Sequence, residues 1–213
     1  MVESHIWHNE KLGLKVVEAL KKNNFSAEYA KTKEDARQRL LELIPAGASV
    51  GLGGSVTVRQ LNIIVELNKR GNQLFDHTEP NMSLEVKTKM RRKQLTSDIF
   101  LSSTNAVTLD GKLVNEDGTG NRVAAMIYGP QKVVIVVGIN KIVKNVDSAL
   151  DRLEMYTTPM NNYRLRYPNP CAKTGFCIDC DSESRICNVI TIMRKKPSQT
   201  DITVIIIGEV LGL

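Results

Sequence analysis

Ser49-Val50-Gly51-Leu52-Gly53-Gly54-Ser55-Val56-Thr57-Val58 is the stretch that decides the fold. Ser49 to Leu52 reads as a short buried strand, the glycines that follow permit a tight turn, and Val58, Leu61, Ile64, Val65 and Leu67 continue as a helical stripe. A strand that passes through a glycine loop into a helix is the repeating unit of a parallel sheet, because the next parallel strand must be reached by a crossover.

The same alternation extends in both directions. Upstream, Leu12, Val16, Ala19 and Leu20 mark a helix over Asn9 to Asn23, and Phe25 to Ala30 reads as a strand. Thr32 caps a second helix with Glu34 and Asp35 in its first turn and Ala36, Leu40, Leu41 and Ile44 facing inward; Pro45 and Gly47 end it. Downstream, strands are expected at Gln73 to Asp76, Asp98 to Ser102, Ala106 to Leu109, Lys112 to Asn115 and Lys132 to Val137. Helices are expected at Met82 to Leu95, Gly120 to Tyr128 and Val146 to Met155. Cys187 to Met193 and Asp201 to Gly208 return to strand character, and the second of these should lie within the sheet. The expected architecture is a single layered α/β domain over 1–213, with a mostly parallel sheet flanked by helices. It has an N-terminal helical segment over about 1–45 and an inserted cysteine-rich loop over about 159–188.

At 213 residues and 42% hydrophobic content the chain can bury a core unaided. Aromatic residues make up 5%, too few for the stacking surface that single-stranded nucleic acid needs, so a nucleic-acid partner is not expected. The net charge of +6 owes much to Lys87, Lys89, Arg91, Arg92 and Lys93, which read as a solvated helix face. The polar N-terminus has no secretory pattern, and no apolar run approaches the ~18 residues of a membrane span. A cytoplasmic protein without a membrane span is the expectation.

Two segments could bind a ligand. Gly51, Gly53, Gly54 and Ser55 stand where a strand hands over to a helix, where bare amides suit a phosphate or carboxylate or merely form a tight turn. The spacing is neither a Walker A loop nor a dinucleotide GxGxxG. The second segment, Ser102 to Arg122, alternates around Asp110-Gly111 as a β-hairpin and then opens a helix through a polar, glycine-rich turn. It offers Ser103, Asn105, Glu116, Gly118, Thr119, Gly120, Asn121 and Arg122 to a cleft at the ends of the strands, where loops of a parallel sheet converge. Lys141, just past the buried strand Val133 to Val137, stands at such an end too. His5 and His8 read as exposed, and His77 as a loop residue that closes a strand near the site.

The four cysteines follow the pattern Cys171-x5-Cys177-x2-Cys180-x6-Cys187, with none elsewhere. Thiols so gathered suit a soft metal centre. A reducing compartment disfavours disulfides. Zinc prefers paired short chelates, and only Cys177 and Cys180 form one. An iron–sulfur cluster tolerates irregular spacing, with Pro170 and Gly175 supplying the turns. An iron–sulfur cluster of the 4Fe-4S type is the expectation, with structural zinc as the alternative.

Gly51 to Ser55, the Asn105 to Arg122 segment, Gly138-Ile139-Asn140-Lys141-Ile142-Val143, Ala149-Leu150-x-Arg152, Pro159-Met160-Asn161 and the block from Pro170 to Asn188 together resemble the lactate-utilisation (LUD) domain family. The resemblance implies a fold of the sugar-isomerase and CoA-transferase-like superfamily with ligands over the glycine loop. It also implies a connection with oxidation of lactate to pyruvate alongside iron–sulfur partner proteins. Isomerases of that superfamily carry a Gly-Thr-Gly-Ser-Thr loop and an acid before the hairpin; here Gly53-Gly54-Ser55-Val56-Thr57 and Asn105 stand instead. A deprotonating carboxylate would then be Glu116 or Asp117, beside Lys141 or Arg122 as electrophile. The alternatives are a stand-alone isomerase or acyl-transfer enzyme with structural zinc, and a non-catalytic anion-sensing module.

Overall fold

In the computed structural model, which describes residues 2–213, six short strands, the two longest rich in Val and Ile, form one sheet. Strands β1 (Ser26–Ala30), β2 (Ser49–Leu52), β3 (Gln73–Asp76), β4 (Ile99–Ser102), β7 (Lys132–Gly138) and β10 (Asp201–Ile207) lie in the order β1-β10-β7-β4-β2-β3, all parallel. β7 and β10 are apolar on both faces because each face is covered, as a central parallel strand requires. On one face Val133, Ile135 and Val137 pack with Val16 and Leu20 of α1 (Glu3–Lys22) and with Met126 of α6 (Asn121–Tyr128). On the other, Val134 and Val136 pack with Leu40 of α2 (Lys33–Leu43), Val58 of α3 (Val56–Gln60) and Leu67 of α4 (Ile63–Lys69).

A second sheet, order β8-β5-β6-β9, holds the hairpin of β5 (Ala106–Thr108) and β6 (Leu113–Asp117). Short β8 (Ile142–Val143) joins parallel to β5, and β9 (Val189–Met193) joins antiparallel to β6. Ala149 and Leu153 cover Ala106 and Val114 from α7 (Val146–Arg152) and the turn after it. Gly111, at φ +79°, makes the hairpin turn that Asp110-Gly111 predicts.

The structure departs from the sequence reading in three places. Helix α1 begins at Glu3 rather than Asn9; Ile6 and Trp7 are exposed, so its first turns show no apolar stripe. The helix expected through Val58 and Leu67 is broken by Asn62 at φ +52°, which rotates Ile63 into the core and leaves Val65 exposed. The third concerns the expected loop after Pro159. Here α7 widens into a π turn (Leu153–Thr157) and continues as α8 (Thr158–Leu165), so only the residues beyond it form the irregular cysteine-bearing segment. Proline has no N–H to donate to Met155, and the π turn absorbs that missing bond at the junction.

Candidate functional site

Because all six strands of the main sheet are parallel, their C-terminal ends open on one edge, and the loops leaving β2, β4 and β7 meet there. A Cβ on Gly53 would lie 2.9 Å from Ser102 Cβ, so the bare backbone lets the glycine loop close on the end of β4. Gly54 takes φ +69° with the His77 ring beside it, and the Ser55 side chain caps α3 through the amide of Val58. The 3-10 turn after β7 (Ile139–Lys141) carries Lys141 into the centre of this edge.

Lys141 is buried, and its Nζ donates to Thr57 Oγ1 at 3.0 Å, Ser103 Oγ at 3.1 Å and the Thr104 carbonyl at 3.3 Å. Among the described residues no carboxylate neutralises it. Burial, followed by the fields of Arg152 and Arg122, pushes its pKa down to about 7. The three ammonium protons are matched to three acceptors, so Lys141 ties the loops together and places positive charge at the strand ends.

Arg122 is committed in the same way. Its guanidinium pairs with Asp117 at 2.7 Å and donates to Asn115 Oδ1, Asn105 Oδ1, the Ser103 carbonyl and the Glu116 carbonyl. Asn105 Oδ1 also accepts from the Glu116 amide, which fixes the strand that presents Glu116. The Glu116 carboxyl accepts from Thr158 at the start of α8. Its pKa is raised, chiefly by burial and further by Glu154 and Asp117, against the lowering effect of Thr158 and Arg185. Arg152 donates to the Asn105 carbonyl and to Thr157, lies 5.2 Å from the Tyr156 ring centroid, and keeps Nη2 free of any partner among the described residues.

The edge thus brings together Gly53, Gly54, Ser55, Ser103, Asn105, Glu116, Arg122 and Lys141, whereas Gly51, expected among them, is buried within β2 against Gln94, Ser97 and Phe100, where a side chain would not fit. Gly118 and Gly120 shape the turn into α6, Gly120 at φ +79°. Thr119 is exposed and Asn121 half-buried, and neither side chain has a partner among the described residues. Sequence reasoning did not single out Thr57, Thr158 or Asn162. Their signal is faint, since a hydroxyl or amide inside a helix looks like surface until its partner is known.

The cysteine segment is fastened to this edge. Asn188 donates its amide to the Asp117 carbonyl and its side chain to the Gly118 carbonyl, and a Cβ on Gly118 would meet Ile186 Cα at 2.9 Å. Asn169 donates to the Ser184 carbonyl and accepts from Ser182 and Ser184, cross-linking the segment internally. All four thiols are free. Three sulfurs receive N–H donors at 3.3 Å: Cys171 from Asn162 Nδ2, Cys177 from the Asp179 amide and Cys187 from Arg185 Nε. Such donors suit thiolates bound to a soft metal. Burial first, and then the neighbouring cysteines, raises the Cys171 thiol; burial also leads the rise at Cys187, and a bound cation would reverse both. Among the described residues no three His, Cys, Asp or Glu side chains stand close enough to hold a single metal ion.

A cavity of about 710 Å³ lies at the opposite edge, among Pro45, Leu95, Asp98, Gly129 and Lys132. Its charged groups are already engaged, Asp98 by Ser49 and Lys132 by the Leu43 carbonyl, so the C-terminal edge, with its uncompensated Lys141 and Arg152, is the candidate site. Among the described residues no helix is long and apolar enough to cross a membrane.

The frame of the candidate site is a parallel α/β sheet with a cationic, glycine-lined C-terminal edge and an adjoining thiol-bearing segment. The LUD domain model matches residues 14–207, and the chain belongs to the LUD domain family. A solved structure of a DUF162 family protein from Deinococcus radiodurans is similar in fold, with a TM-score of 0.53 at 11% identity over 93% of this chain and 98% of that one. No curated protein matches.

Proposed function

We propose that this LUD-family chain is an accessory or redox component in oxidation of lactate or a related 2-hydroxy acid to the 2-keto acid. In this reading Cys171, Cys177, Cys180 and Cys187 hold an iron–sulfur cluster, and the adjoining edge binds the small carboxylate. Family membership supports a lactate-utilisation-related role. The observation that carries the reading is the physical tie between the two halves: Asn188 bonds the cysteine segment to the turn that follows Glu116.

Oxidation of a 2-hydroxy acid removes two electrons and two protons, so the site needs a carboxylate anchor and a proton acceptor. The free Nη2 of Arg152, beside the charge of Lys141, anchors the carboxylate. Glu116, made more basic by burial, accepts the hydroxyl proton. Lys141 and Arg122 hold the Ser103 and Asn105 wall in place while their charges favour the anion. A bound iron–sulfur cluster would relay electrons one at a time, and the hydrogen of the hydroxyl-bearing carbon with its electron pair would go to a two-electron acceptor of a partner protein. The Gly54 and Ser55 amides would face the ligand, while that of Gly53 is spent on the Leu101 carbonyl.

Electron paramagnetic resonance of anaerobically prepared, reduced protein tests this reading. A cluster signal is expected that is lost in Cys177→Ser and altered by adding lactate or pyruvate. A silent sample with no bound iron would overturn the redox role, and a signal indifferent to both acids would separate the cluster from the cleft.

A further inference from the structure

The second sheet ends on β9, a strand with a neighbour on one side only. Sheet edges are ordinarily guarded against pairing by brevity, charge or proline. The other edges of the two sheets follow that rule: β8 has two residues, β1 carries Glu28 and β3 ends on Asp76. β9 does not. Val189-Ile190-Thr191-Ile192-Met193 holds no charge and no proline, and Val189, Ile190 and Ile192 are 37%, 50% and 42% exposed. The free backbone groups of this edge follow from the pleat. Thr108 N donates to the Lys112 carbonyl and Glu116 N to Asn105, so Val114 and Glu116 face β5, while Leu113, Asn115 and Asp117 face β9. Their opposites Met193, Thr191 and Val189 therefore face inward, and Ile190 and Ile192 direct their N–H and C=O groups away from the sheet. Neither has a backbone hydrogen bond elsewhere among the described residues.

Charge indicates what covers this edge. The chain approaches β9 through Asp181 and Glu183 and leaves it through Arg194 and Lys195. All four are exposed, and among the described residues the ion pair of this stretch joins Arg185 to Asp179 and uses none of them. On α5 (Leu84–Gln94) and α2, by contrast, charges are answered within one helix, Lys89 by Glu85 and Arg39 by Glu42. A strand with an acidic approach and a basic exit is complementary to itself when paired antiparallel and repels itself when paired parallel. About a two-fold axis at Thr191, Ile190 of each copy exchanges backbone bonds with Ile192 of the other, and Val189 faces Met193. Each acidic approach then lies on the side of the other copy's basic exit.

We propose that β9 is the interface of a two-fold homodimer, in which two copies of this chain join their second sheets into one sheet of eight strands. The cysteine segments lead directly into β9, so both stand at the interface, each on the side of Arg194 and Lys195 of the other copy.

Sedimentation equilibrium of the full chain under reducing conditions tests the interface. A dimer is expected that dissociates on dilution and more readily at high salt. Ile192→Lys, at an exposed position, should leave the circular dichroism spectrum unchanged and weaken association at least about tenfold, because it sets two like charges across the pair. The variants Asp181→Lys/Glu183→Lys and Arg194→Glu/Lys195→Glu should each be monomeric alone and associate when mixed, since each then meets the opposite charge at both ends of the strand. A parent chain monomeric at about 100 µM, whether its edge stays bare or takes a strand of another protein, would overturn the proposal. So would a dimer indifferent to Ile192→Lys, or folded charge variants that stay monomeric when mixed.

Discussion

Replacing Arg122 by methionine should cost the fold about 3–5 kcal/mol, the usual penalty for stranding one partner of a buried ion pair. Arg122 and Asp117 have side-chain exposures of only 14% and 8%, and their 2.7 Å contact is the chief compensation for the Asp117 charge. Without the guanidinium, Asp117 keeps one amide donor, Val123 N at 3.1 Å, Asn115 Oδ1 loses its donor, Asn105 Oδ1 keeps only the Glu116 amide, and the Ser103 and Glu116 carbonyls each lose one donor. At about 2–4 °C per kcal/mol for a domain of this size, the midpoint should fall on the order of 10 °C. Urea unfolding followed by circular dichroism measures the change directly. The double variant Arg122→Met/Asp117→Asn separates a stranded charge from lost packing: it should recover part of the loss, because it removes the uncompensated carboxylate. A single variant within about 1 kcal/mol of the parent, or a double variant no more stable than the single, would refute the reasoning.

Other changes probe the same edge. Lys141, with its pKa near 7 in the fold and about 10.4 in the unfolded chain, leaves the unfolded state holding the extra proton between those values. Stability should therefore rise with pH across that window, and Lys141→Met should abolish the rise; equal pH slopes in urea unfolding would contradict this. The raised pKa of Glu116 works in the opposite sense, with stability present below the ordinary carboxylate range and lost as pH rises through the folded value. Glu116→Gln should therefore flatten that loss and, on the proposed function, abolish the chain's support of hydroxy-acid oxidation, as paired unfolding and turnover assays would show. Gly53→Ala, whose Cβ would crowd Ser102, should cost about 1–3 kcal/mol, with part returned by Ser102→Gly in thermal melts. Arg185→Met removes the donor to Cys187 and to the Cys180 carbonyl, and should speed loss of bound metal in air, read from the decay of its absorbance.

The main sheet was legible because each of its strands is a short apolar run set between turn signals, with Ser49 to Leu52 and Gln73 to Asp76 found at their observed bounds. The converging loops were legible for the same topological reason. What escaped were features set by tertiary partners. A proline at 159 argues locally for a loop, and only the π turn before it lets α8 continue. Asn62 reads as an ordinary helix residue until the core selects Ile63 over Val65. Lys141 looks equally solvated or buried in sequence, since its three acceptors come from α3 and from the loop after β4.

The account turns on what the thiols bind. Iron, acid-labile sulfide and zinc, measured together on protein purified without oxygen, test that most directly. The account predicts about four iron and four sulfide per chain with a visible charge-transfer band, all lost in Cys177→Ser. One zinc per chain, with no sulfide and no colour, would contradict it.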